Sequence, residues 1–175
     1  MKLRHALIAT ATAVALVAAP AIAAAPAQAT EHATGKTLVS FKKEYAGIFK
    51  LVAPIKPAKF IDSRLTFPVT GVDGNFVLHS GGIKVGAIKA KNPVIRVNAA
   101  NKHAKVYFDI GGTETLLFYA KHFKIKADGV GGQVWQGNLH LTKDKETVDT
   151  LNAILGVDSL TPGLGLGQIR VTIKK

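Results

Sequence analysis

Phe67-Pro68-Val69-Thr70-Gly71, followed past Asp73-Gly74 by Phe76-Val77-Leu78-His79-Ser80-Gly81-Gly82-Ile83-Lys84-Val85, decides the fold. Apolar side chains recur at every second position in these runs, which is the period of a strand with one buried face. Asp73-Gly74 is turn chemistry between two strands, and Ser80-Gly81-Gly82 breaks the second run from the third. Phe76 and Leu78 share one strand face, so His79 falls on the other, beside Val77. The glycine pair behind it suits the close approach of another group. His79 is therefore fixed by backbone on both sides, either capping its own turn or facing something brought to it.

The same period extends outward from this segment. Leu65, Phe67 and Val69 alternate with other residues, as do Ile95 and Val97, then Val106, Phe108 and Ile110. Leu117, Tyr119, Lys121, Phe123 and Ile125 continue it, and Val134 to Leu141 follow. Turn residues bound the runs at Asn92-Pro93, Asn98 to Asn101, Gly111-Gly112 and Gly129 to Gly132. The spacing predicts a mainly β chain of six or seven short strands in an antiparallel β-sandwich, barrel or bent sheet. Two helices interrupt the pattern. Phe41, Tyr45, Ile48, Phe49 and Val52 recur at three- and four-residue spacings, predicting a short N-terminal helix from near Ser40 to about Gly47. Pro54 and Pro57 then force an extended passage. Near the C-terminus, Val148, Leu151 and Leu155 form one amphipathic stripe, with Thr142 as the expected N-cap and Gly156 as the stop. Ile169, Val171 and Ile173 predict a last strand after the glycine-rich run Gly163 to Gly167.

The first 29 residues read as an address. Lys2, Arg4 and His5 precede an apolar run from Ala6 to Ala19, Pro20 breaks it, and Ala27-Gln28-Ala29 is a small-x-small cleavage site. This predicts a secretory signal peptide over residues 1–29 and one β-rich domain over residues 30–175, secreted or associated with the cell envelope. No later apolar run is long enough to span a bilayer, so no transmembrane segment is expected in the mature chain. The chain has no cysteine, which excludes thiol chemistry, cysteine-based metal sites and a lipoprotein anchor. The remaining 146 residues are enough for one core without disulfide staples. They carry 21 basic against 11 acidic residues, a formal charge of +10. Such a surplus attracts polyanions. For an exported protein these are anionic cell-wall polymers, acidic lipids or a small anionic ligand, and not nucleic acid.

Catalytic chemistry has little to stand on. No G-x-S-x-G, H-E-x-x-H or phosphate loop is present, and Gly163 to Gly167 precedes a strand where phosphate binding needs a following helix. Asp109 and Glu114 flank a turn, Asp144 and Glu146 open a helix, and none forms an acid/base pair. An enzyme is not expected. His32, His79, His103, His122 and His140 show no metal-binding spacing, although His122 and His140 sit on segments able to pair as strands. His32 and His103 read as surface residues.

Three segments resemble the HtaA-type domain of exported actinobacterial haem-binding proteins. Ser40-Phe41-Lys42-Lys43-Glu44-Tyr45 is similar to its opening Ser-Phe-Arg-x-Tyr segment, and Phe67 to Gly71 with Leu78 to Gly82 is similar to its strand and His-Gly element. Thr150 to Gly156 with Leu160-Thr161-Pro162-Gly163 resembles its closing helix and turn. The resemblance implies haem capture, with Tyr45 as the ligand of ferric iron and His79 hydrogen-bonded to that tyrosine. It also implies a basic rim for the propionates and apolar cover from Phe41, Phe76 and Ile83. The competing class is a basic envelope module, structural or adhesion-like, that holds anionic wall polymers or lipids.

Overall fold

The structure, a computed structural model, describes residues 33–49 and 51–174. The expected signal peptide, its cleavage site after Ala29 and His32 lie outside the described residues. In chain order come β1 (Thr34–Phe41), a 3-10 turn (Lys43–Tyr45), α1 (Ala46–Phe49), β2 (Val52–Ile55), β3 (Lys59–Ile61) and β4 (Arg64–Asp73). Then follow β5 (Phe76–His79), β6 (Gly82–Val85), β7 (Ile88–Asn98), β8 (His103–Ile110), β9 (Thr113–Ala127), β10 (Gln133–Leu141), α2 (Lys145–Leu155) and β11 (Gly165–Lys174). The chain is mainly β, as the period-two pattern predicts.

The sheet bends until it closes. Its path runs β7-β5-β4-β1-β11-β10-β9-β8, and β8 pairs back onto β7, so eight antiparallel strands form a barrel. β6 and β2 extend the sheet from the first half of β7, and β3 pairs with β4. An eight-strand barrel is just wide enough for its own side chains to fill. Thr37, Val39, Phe67, Ile95, Phe108 and Phe118 are among those that do so, and the space left between them is about 10 Å³. Phe67, Phe108 and Phe118 meet edge to face along the interior, each successive pair 6.0 Å apart between ring centres. That geometry is favourable for aromatic quadrupoles and leaves no hollow core.

The N-terminal segment departs from its predicted helix. Residues Thr34–Phe41 form β1, with Thr37, Val39 and Phe41 buried on the barrel side. Phe41, Tyr45 and Phe49 have helical spacing, but Thr37, Val39 and Phe41 have strand spacing, and Phe41 belongs to both. Pairing of β1 with β4 and β11 settles the competition, since a strand with two neighbours satisfies its backbone groups completely. Helical geometry is confined to the 3-10 turn and α1. Phe49 then folds back to stack on Phe41 at 3.6 Å between ring centres.

Two further shifts are local. Asn92-Pro93 is no chain reversal but an irregularity inside β7, where Asn92 has φ +47° and the register to β8 slips between Lys91 and Val94. In α2 the N-cap is Asp144, whose side chain accepts from the Thr147 N–H at 2.9 Å, with Gly156 in the left-handed C-cap as expected. Thr142, the expected cap, is buried two residues earlier and its hydroxyl oxygen accepts from the Asp144 N–H. Val148 is fully buried and pins the helix to the barrel. Such burial is worth about 1.5–3 kcal/mol. Gly81-Gly82 does meet a close approach. A Cβ on Gly81 would lie 2.7 Å from Ile55 O and one on Gly82 2.1 Å from Ala90 O.

Candidate functional site

His79 points into the barrel, on the face it shares with Val77. Its turn does not receive the ring. Nδ1 lies 2.8 Å from Pro93 O, and Nε2 lies 2.6 Å from Thr37 Oγ1. A carbonyl only accepts, so Nδ1 carries the proton and Nε2 accepts from the Thr37 hydroxyl. The irregularity at Asn92-Pro93 presents that carbonyl to the interior. Burial pushes the imidazole down to about pKa 4, partly offset by the Pro93 carbonyl, so the ring is neutral near pH 7. His79 thus ties β5 to β1 and β7 across the barrel.

Tyr45 lies elsewhere, at the end of the 3-10 turn that leaves β1. It packs half-buried against the core, and its phenol oxygen makes no hydrogen bond to another described residue. The hydrogen bond to His79 implied by the family resemblance is not formed, because both imidazole nitrogens are already engaged. Phe41 and Ile83, expected as ligand cover, are core residues, whereas Phe76 is exposed and sits 5.5 Å from the Arg96 guanidinium.

Lys42 links Tyr45 to a polar and aromatic rim. Lys42 places its ammonium 5.8 Å from the Tyr45 ring centre. A methyl group added at Gly165 would lie 3.9 Å from Lys42 Nζ and 3.5 Å from His140 Cε1, so these two side chains flank one point. His140 is paired across β10 and β9 with Tyr119, and their rings stack at 5.1 Å and 15°. His140 Nδ1 is 3.2 Å from Gly163 O, and Lys121 Nζ is 5.5 Å from the Tyr119 ring centre. The cross-strand register also means that His140 opposes Tyr119 and not His122. Sequence reading missed this pair. Its only sequence signal is an aromatic and a histidine on facing strands, which becomes visible once register is known.

A porphyrin does not fit inside the barrel, where about 10 Å³ is open against the several hundred that a ligand pocket needs. The rim is different. It offers an oxygen donor suited to hard ferric iron, flat aromatic surface and lysines for carboxylates. Among the described residues no cluster of three histidine, aspartate or glutamate side chains stands ready for a metal ion. Many acids are structurally engaged: Glu114 with Arg96, Asp149 with Lys145, Glu44 with Lys42, Asp144 at the cap, and Asp109 and Asp128 holding turns. No helix among the described residues is long and apolar enough to cross a membrane.

No protein-family model matches the chain, and no curated protein matches it. Among solved structures it is similar to the haem-binding protein HtaB from Corynebacterium glutamicum, with a TM-score of 0.58 and 14% identity over 83% of this chain and 93% of that one. At that identity the likeness is one of fold.

Proposed function

We propose that this chain is an exported, non-catalytic barrel that captures haem at the rim formed by Tyr45, Lys42, His140 and Tyr119. The observation that carries the proposal is a phenol with no hydrogen bond to another described residue, beside the Lys42 ammonium, on a fold similar to that of a haem-binding protein. Haem, when bound, would supply a ferric iron that takes a hard oxygen donor, together with two anionic propionates. Tyr45 would hold the iron through its oxygen, a hard donor for Fe(III). Lys121 would receive one propionate, Lys42 would exchange its exposed partner Glu44 for the other, and the Tyr119–His140 stack would offer a flat face to the macrocycle. His79 is a positioning residue. It fixes Thr37 on β1, the strand that delivers Tyr45 to the rim.

Titration of the protein with hemin tests this. The expected result is a saturable Soret band at one hemin per chain, with affinity reduced at least about tenfold by Tyr45→Phe, the loss of a direct iron ligand. A band that Tyr45→Phe leaves unchanged refutes the assignment, as does the absence of saturable binding.

A further inference from the structure

The outer face of the sheet carries a second feature. A groove of about 450 Å³ runs across β4, β1, β11, β10 and β9. Four cationic or titratable side chains line it: Arg64, His122, Lys124 and Arg170. Three amides stand between them, Gln136, Asn138 and Gln168. No carboxylate lines it, and no described acid forms an ion pair with Arg64, Lys124 or Arg170. Arg96, on β7, contrasts with these, since Glu114 neutralises it.

Register places these groups in rows. Arg170 faces Gln136 across β11 and β10, and Gln136 faces Lys124 across β10 and β9. In the next row Arg64 opposes Ser40, and Ser40 opposes Gln168. Five strands at about 4.8 Å spacing make a track of roughly 19 Å. A second hollow shares His122 and Lys124 and adds Lys102 and Lys126, so the positive track continues beyond β9. His122 stands where both meet. It has φ +53° and sits at the bulge where β9 carries an extra residue opposite Gly137.

We propose that this groove binds an acidic glycan, a hydroxyl-rich chain bearing carboxylate or phosphate groups. The cations match the acidic groups, and the amides between them offer both donors and acceptors to sugar hydroxyls. The length suits an extended chain better than a single small anion. The groove presents no aromatic ring, which single-stranded nucleic acid would use for stacking. Its apolar contribution is Leu38 and the buried Ile169, and the adjoining hollow adds one exposed large apolar side chain, Ile125, so polar and cationic groups dominate the track. This proposal does not depend on haem capture, since its residues are distinct from the Tyr45 rim.

The test is calorimetric titration of the protein with polygalacturonate, with neutral dextran, poly-dT and phosphatidylglycerol vesicles as comparators. Polygalacturonate should bind, dextran should not, and poly-dT and the vesicles should bind more weakly. The double variant Lys124→Gln/Arg170→Gln should lose at least about tenfold in affinity, two charge-assisted contacts being removed. Gln136→Ala/Asn138→Ala should lose several-fold at unchanged charge. Lys89→Gln/Lys105→Gln, which removes two exposed lysines from β7 and β8, should bind like the parent. Thermal melts check that each variant folds. Equal losses in the groove and control variants overturn the proposal. So does tighter binding of poly-dT or vesicles than of polygalacturonate.

Discussion

Lowering the pH from 7.5 to 5 should remove about 2 kcal/mol of folding stability through His79 alone. The imidazole is pushed down to about 4 in the folded barrel, against 6.5 in an open chain. Below pH 6.5 the unfolded chain takes up a proton that the folded chain refuses. Stability from the neutral ring is therefore complete above pH 6.5 and falls as pH drops toward 4. The full gap corresponds to about 3 kcal/mol at 1.36 kcal/mol per unit, and most of it has been lost at pH 5. Against a typical total of about 5–15 kcal/mol this is a large share. The assay is urea unfolding of wild type and His79→Gln at pH 7.5, 6.5, 5.5 and 5.0. Wild type should be more stable at pH 7.5 by about 1–3 kcal/mol, because glutamine does not reproduce both hydrogen bonds to Thr37 and Pro93. That advantage should shrink by about 2 kcal/mol at pH 5. Other titrating groups are common to both proteins and cancel in the difference. Parallel pH profiles would show that His79 does not sit neutral in the barrel, and would refute the reasoning.

Three other substitutions probe separate parts of the structure. Gly82→Ala puts a methyl group 2.1 Å from Ala90 O, a backbone atom that cannot swing aside, and should cost about 3 kcal/mol or more in urea unfolding. His122→Gly relieves a left-handed backbone position and should stabilise the fold by about 1 kcal/mol while weakening polygalacturonate binding. Asp144→Ala removes the cap of α2 and should lower Tm by a few degrees, read by circular dichroism.

Alternation and turn residues made the strands from Leu65 onward readable, together with the face of His79 and the C-cap at Gly156. Barrel closure was among the alternatives but could not be singled out. It depends on β1 bridging β4 and β11, a pairing of the first strand with the last that no local turn signal announces. The N-terminal error has a physical origin in Phe41. One residue completes a strand face with Thr37 and Val39 and begins a helical spacing with Tyr45 and Phe49, and long-range pairing to β4 and β11 decides between them. Local pattern carries no information about that pairing.

The candidate site was legible only in parts. Tyr45 stands out only through the family resemblance, since its own spacing reads as part of an apolar stripe, and the structure places Lys42 Nζ 5.8 Å from its ring centre. The expected bond between His79 and Tyr45 fails because Pro93 presents its carbonyl from a mid-strand irregularity that reads as a turn in sequence. The Tyr119–His140 stack and the row Arg170–Gln136–Lys124 depend on register, which a bulge between Gln136 and Asn138 shifts. A one-residue slip moves every side chain to the other face, so such clusters form only once the pairing is known.

The most direct test of haem capture is resonance Raman spectroscopy of the ferric hemin complex, excited in the phenolate-to-iron charge-transfer region. Wild type should show tyrosinate ring modes that vanish in Tyr45→Phe and persist in Tyr119→Phe. A hemin complex without those modes, or one that keeps them in Tyr45→Phe, would contradict Tyr45 as the iron ligand.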